Sequence, residues 1–137
     1  MKVVINKCYG GFSLSDEAIE MYLALKGKKY YKYSSKFQSI CGCDFYFCPK
    51  EEYEKLKAEH RQKYGDWKKF NELDLYFSLS DVKRNDPDLV KVVQKLKKKA
   101  NGRFADLKII NIPDDVKWDI DEYDGMEKVV EQHRSWA

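Results

Sequence analysis

No run of apolar residues in this sequence approaches the ~20 that a membrane-spanning helix requires. The first residues, Met1-Lys2-Val3-Val4-Ile5-Asn6-Lys7, hold neither a long apolar stretch nor a small-residue cleavage site. A secretory signal is therefore not expected, and the chain is predicted to be cytoplasmic. A strong charge bias is also missing. With 26 basic and 23 acidic side chains the net charge is only +3. A dedicated nucleic-acid binder would be markedly basic, and an acidic mimic of DNA markedly acidic, so neither is expected. There is no internal repeat, low-complexity tract or interdomain linker. Histidine is confined to His60 and His133, which leaves few bases for nucleophilic catalysis.

What is present suits one ordinary domain. A chain of 137 residues can bury roughly two-thirds of its unfolded surface without a metal or disulfide. Hydrophobic residues make up 43%, aromatics 15% with ten tyrosines, and charged residues 36%. That composition predicts an aromatic-rich core inside a well-solvated surface. The cysteines are Cys8, Cys41, Cys43 and Cys48, expected in a reducing cytosol as thiols or metal ligands.

Residues 2–7 are β-branched and predict a buried strand that runs into a Tyr9-Gly10-Gly11 loop opening a helix. Ser15 is a fitting N-cap, Asp16 and Glu17 suit the positive helix end, and Ala18, Ile19, Tyr22, Leu23 and Leu25 recur at helical spacing. Gly27 ends that helix. Strands are predicted at 30–33 and 44–48, a charged helix at 51–63 closed by Gly65, and an alternating strand at 73–77. Asp86-Pro87 is a strong helix start, followed by Leu89, Val93, Leu96 and Ala100. Strands at 107–112 and 116–121 are expected to pair as a hairpin, and residues from Met126 to about Arg134 to form a last helix. The fold class expected is α+β, a single domain with a mixed or antiparallel sheet and about four helices, near 15–26, 50–63, 86–100 and 125–134. The Tyr- and Lys-rich segment 28–71 is read as an elaboration on the core.

Four ordered blocks, KVVINKCYGGFSLSDEA (2–18), RNDPDLVKVVQKL (84–96), ANGRFADLKIINIPDDVKWDI (100–120) and DEYDGMEKVVEQHRSW (121–136), carry a family resemblance. Together they resemble a family of small uncharacterised proteins encoded by bacteriophages, prophages and some large DNA viruses. Residues 28–71 do not share it. The resemblance implies a setting, a viral accessory protein in an infected cell, and through it an anti-defence role. It implies no particular chemistry.

Five constellations are candidates for chemistry. In the first, Tyr9, Gly10, Gly11, Phe12 and Ser13 could offer backbone amides to a phosphate, because glycines permit close approach and a helix N-terminus favours anions. The third glycine of a dinucleotide fingerprint and the Gly-Lys-Ser/Thr of a P-loop are both missing, so a plain tight turn is the alternative. The second is a C-terminal cluster of Asp121, Glu122, Tyr123, Asp124, Glu127, Glu131, His133, Arg134 and Trp136. There Arg134 could grip a phosphate and Tyr123 or Trp136 stack on a base, or the segment is an ordinary helix. The third is Cys41, Cys43 and Cys48 with Cys8, whose one-residue first gap suits zinc poorly. The fourth is Cys8 as a nucleophile, against a structural thiol. The fifth is Lys28, Lys29, Tyr30, Tyr31, Lys32, Tyr33 and Lys36, with Lys97 to Lys99, as a nucleic-acid surface, against a solvated strand face.

The leading expectation is a non-enzymatic viral anti-defence protein that sequesters a small phosphorylated ligand such as a nucleotide signal. Gly10 to Ser13 would hold phosphate, Arg84, Arg103 or Arg134 would supply charge, and an aromatic would stack the base. No cofactor or metal is expected. A homo-oligomer is, since a subunit interface buries a ligand well. The alternatives are an inhibitor of a host defence protein acting through the tyrosine-rich middle, and a small nucleotide-processing enzyme with carboxylates or His133 at the C-terminal rim.

Overall fold

The computed structural model describes residues 1–34, 43–64 and 75–132. Its described residues form a mixed α+β structure with three α-helices and six short strands, every pair antiparallel. The chain divides into two compact units, one made of Met1–Leu25 with Val82–Ala137 and the other of Lys26–Asp81.

In the first unit, β1 (Lys2–Asn6) pairs with β4 (Leu107–Asn111), Lys2 opposite Asn111 and Asn6 opposite Leu107. Successive side chains of a strand alternate faces. Val3, Val4, Ile5 and Asn6 are nonetheless all buried, so β1 is covered on both. Helix α1 (Asp16–Leu25) starts where Ser15 predicts, with Ser15 Oγ accepting from the Ala18 amide at 3.2 Å. Helix α3 (Pro87–Leu96) is capped by Asp86, whose Oδ1 accepts from the Asp88 amide at 2.9 Å, with Pro87 in the first turn. Its Leu89 and Val92 are fully buried, and burying a leucine contributes about 2 kcal/mol. Tyr22 of α1 donates to Asp86 Oδ2 at 2.9 Å, which ties the two helices together. A 3-10 turn, Lys97–Ala100, completes the expected 86–100 helix.

The expected hairpin of 107–112 with 116–121 does not form. β4 pairs with β1, and β5 (Trp118–Tyr123) pairs with β6 (Met126–Glu131). The last helix expected from Met126 is therefore a strand over its described length. Asp124 and Gly125 both have positive φ, 50° and 89°. They make a two-residue turn of the kind that matches strand twist, and Val129-Val130 are β-branched residues suited to the strand that follows. Among the described residues there are three α-helices rather than the four expected.

In the second unit, β2 (Tyr31–Ser34) pairs with β3 (Cys43–Tyr46), and α2 (Lys50–Tyr64) follows. Of the strand expected at 73–77, Leu73 and Asp74 lie outside the described residues, as does Gly65. Tyr76 makes a single bridge to Tyr46. The tyrosine surplus is largely absorbed here. Tyr46 meets Tyr33, Tyr53 and Tyr76 at centroid distances of 5.5, 4.8 and 5.0 Å, all edge-on, the arrangement that ring quadrupoles favour. Tyr33 Oη also accepts from the Lys50 amide at 3.0 Å, satisfying one orphan donor of α2.

Candidate functional site

Three loops of the first unit meet at the end of β1, and Asn6 joins them. Its side-chain amide donates to Cys8 O at 2.8 Å and to Gly125 O at 2.7 Å, and its Oδ1 accepts from the Asp106 amide at 2.8 Å. One buried side chain thereby connects the Tyr-Gly-Gly loop, the 102–106 loop and the β5–β6 turn. An asparagine suits this place because it offers donors and an acceptor together.

The loops touch through glycine. A Cβ on Gly10 would stand 1.7 Å from the Phe104 carbonyl oxygen. A Cβ on Gly125 would stand 2.6 Å from Gly11 N and 2.7 Å from Tyr9 O. Both glycines are therefore demanded by backbone packing. Gly11, at φ +97° with open space where a Cβ would be, is the loop glycine set by conformation alone. Among the described residues, no acceptor takes the amides of Gly10, Gly11, Phe12 or Ser13.

The loop does not run straight into the helix, as the sequence suggests. Leu14 first makes a β-bridge with Asn101, and α1 begins only at Asp16. The first turn is capped by Ser15 and carries Asp16 and Glu17, so this helix end is already provided with negative charge.

Beneath the rim lies an ion pair. Glu127 is buried and accepts from Arg84 Nη1 at 2.6 Å, Arg84 Nη2 at 2.9 Å and the Asn6 amide at 2.8 Å. The Arg84 guanidinium also lies 3.5 Å from the centroid of the Phe12 ring. Arg84 and Phe12, both expected to face a ligand, thus contact each other, and Arg84 is bound to Glu127. Their arrangement holds the β5–β6 hairpin against β1.

The exposed groups differ in kind. Tyr9 is 63% exposed, Phe104 59% and Tyr123 79%. These three large apolar side chains stand on the three loops that meet. The Arg103 guanidinium is 5.3 Å from the Phe104 ring centroid, and Asp124 stands at the tip of the hairpin turn. Phe104 escaped the sequence reading; its signal was an aromatic next to arginine just after Gly102, between helix and strand. His133, Arg134 and Trp136 lie outside the described residues.

The Cys8 thiol lies 2.9 Å from Phe104 O and 3.3 Å from Asn6 Oδ1. Both are acceptors and neither is a base. Cys43 stands on β3, Cys48 is a buried free thiol, and Cys41 lies outside the described residues. Burial pushes the Cys48 thiol up, with the Glu52 carboxylate adding to it, which favours the inert thiol over a thiolate ligand. No metal-ligating cluster of three occurs among the described residues. Asp121 is 3.6 Å from Lys128, and Glu122 Oε1 accepts from the Gly125 amide at 2.6 Å. Lys28 lies 4.4 Å from the Phe47 ring centroid and Lys29 5.5 Å from that of Tyr31. Lys36 lies outside the described residues.

No protein-family model matches the chain, no curated protein matches it, and no solved structure matches it.

Proposed function

We propose that this is a viral accessory protein that captures a small phosphorylated ligand of the nucleotide class and withholds it from a host defence. One observation carries the reading: three touching loops present three exposed aromatic side chains, with Arg103 beside one of them. Flat aromatic faces stack on bases whatever their sequence, and arginine pairs with phosphate through a planar fork. The amides of Gly10 to Ser13 supply further donors on the loop that carries Tyr9. The viral setting rests on the four resembling sequence blocks. Assembly into a homo-oligomer belongs to the same proposal, since a second copy over the rim would bury the ligand further.

Equilibrium dialysis against linear and cyclic nucleotides tests it. At least one should be depleted from free solution, and Tyr9→Ala, Phe104→Ala or Tyr123→Ala should each weaken its binding roughly ten- to a hundredfold. A panel in which no free concentration falls sinks the reading. The competing proposal, an inhibitor of a host enzyme acting through the tyrosine-rich middle, draws on Tyr76, still 40% exposed within its cluster. A stoichiometric host-enzyme complex lost on Tyr76→Ala and kept on Tyr9→Ala would favour it.

A further inference from the structure

β4 is paired along one edge only. In an antiparallel ladder, alternate residue pairs exchange both hydrogen bonds, and the pairs between them turn their N–H and C=O groups outward. The Lys7 amide donates to Asp106 O at 2.8 Å and the Ile112 amide to Met1 O at 2.9 Å, which fixes the phase. With the observed register, Leu107, Ile109 and Asn111 present their backbone groups on the far side of β4. Their partners on β1 behave accordingly: Asn6 and Val4 donate away from β4, to Glu127 and to the Arg84 carbonyl. The Leu107 amide is met by Asn101 Oδ1 at 2.9 Å. Among the described residues nothing meets the N–H or C=O of Ile109 or Asn111.

This edge borders a groove of about 620 Å³ between β4 and the C-terminal end of α3. Val93, Leu96 and Ile109 give it an apolar lining, and Lys97, Lys98, Lys99 and Lys108 also line it. The acidic side chain in the lining, Asp106, is 3.8 Å from Lys108. The groove therefore combines a strand edge with two open donor–acceptor positions at strand spacing, an apolar wall and an excess of positive charge.

We propose that this edge receives an acidic, extended polypeptide segment, added to β4 as a third strand. Main-chain bonds to Ile109 and Asn111 would hold it, side chains on one face would meet the apolar wall, and carboxylates would meet the lysines. A second copy of this chain fits the edge less well, because pairing β4 with β4 brings two sets of these lysines together. A nucleic acid would satisfy the lysines but would not make the two main-chain positions part of a ladder.

The test uses the full-length protein and a fluorescent synthetic peptide in which glutamate alternates with valine and threonine, followed by anisotropy. The proposal expects saturable binding and slowed hydrogen exchange at the Ile109 and Asn111 amides. It expects the same peptide N-methylated at every residue, or with lysine in place of glutamate, to lose binding. Lys98→Glu combined with Lys108→Glu should weaken binding about tenfold or more. Ile109→Pro, which removes an outward N–H and spares the β1–β4 bonds, should weaken it as well. The N-methylated peptide and the charge variant leave the β4 backbone untouched, so the test stands even if Ile109→Pro fails to fold. Equal binding of the N-methylated peptide overturns the proposal. So does displacement by single-stranded DNA that binds as tightly, or protection of Ile109 through dimerisation without peptide.

Discussion

Replacing Glu127 with alanine should cost this protein about 3–4 kcal/mol, and the reasoning behind that figure is local. The carboxylate accepts three hydrogen bonds, two from Arg84 and one from the Asn6 amide. The Glu127 side chain is 7% exposed and that of Arg84 21%. Breaking a buried pair from one side costs roughly 3–5 kcal/mol, mostly because the surviving charge stays buried without its partner. Arg84 keeps some solvent, its ring contact with Phe12 and a long 3.4 Å approach to Val4 O, which puts its share near the low end. The orphaned Asn6 amide adds about 1 kcal/mol. Replacing both partners, Arg84→Met with Glu127→Leu, should cost clearly less than the sum of Arg84→Met and Glu127→Leu made singly, because no charge is then left buried. Urea denaturation measures the global cost from the midpoint at unchanged slope, and hydrogen exchange at Asn6 reads it locally. A loss below about 1 kcal/mol for Glu127→Ala, or strict additivity in the double-mutant cycle, would refute the account.

Three further outcomes are expected. Gly125→Ala combines a φ of +89° with a Cβ 2.6 Å from Gly11 N, so it should lower stability by about 2–3 kcal/mol, whereas Gly11→Ala, strained but unobstructed, should cost only about 1; thermal melts of the two separate packing from conformation. Lys97, which leaves α3 at φ 54° and ψ −123°, holds a conformation that disfavours side chains, and Lys97→Gly should stabilise by about 1 kcal/mol in a denaturant melt. Tyr76 is pushed up to about 12, first by burial and then by the Asp44 carboxylate, and Tyr46 and Tyr53 are raised as well, chiefly by burial. Since the folded state resists ionisation of Tyr76, its contribution is intact below pH 10 and is lost between pH 10 and about 12. Absorbance titration should show late-ionising tyrosines, and Asp44→Asn should bring Tyr76 back toward its ordinary value.

Signals that act within a few residues were legible. Ser15 and Asp86-Pro87 located two helix starts because a cap works on amides two or three positions away. Residues 2–7 read as a buried strand because Val3, Val4 and Ile5 are apolar and β-branched, whereas the burial of polar Asn6 had no local signal. Asp124-Gly125 is a local hairpin signal as well, although a helix was expected after it where β6 forms. Glu127 and Glu131 fall within that expected helix. Nothing local marks Glu127 as buried, since Arg84 stands 43 residues before it. Pairing of β1 with β4 was hidden for the same reason, as adjacency in sequence favoured β4 with β5. Tyr9, Phe104 and Tyr123 lie far apart in sequence, and only Asn6, bonding three distant segments, marks their loops as neighbours.

The pairing of Lys2–Asn6 with Leu107–Asn111 also dictates an order of events during synthesis. The first strand leaves the ribosome about a hundred residues before its partner. For several seconds, at bacterial to eukaryotic rates, Val3, Val4 and Ile5 have no ladder to enter. Lys26–Asp81 emerges whole in that interval and can complete its own folding first. Doing so shortens the flexible chain that β1 and β4 must later close, a saving that grows only slowly with length but falls on the slowest step. The nascent β1 is the segment most exposed to mispairing, and variants that slow the folding of Lys26–Asp81 should raise aggregation during expression more than they lower the stability of the finished protein.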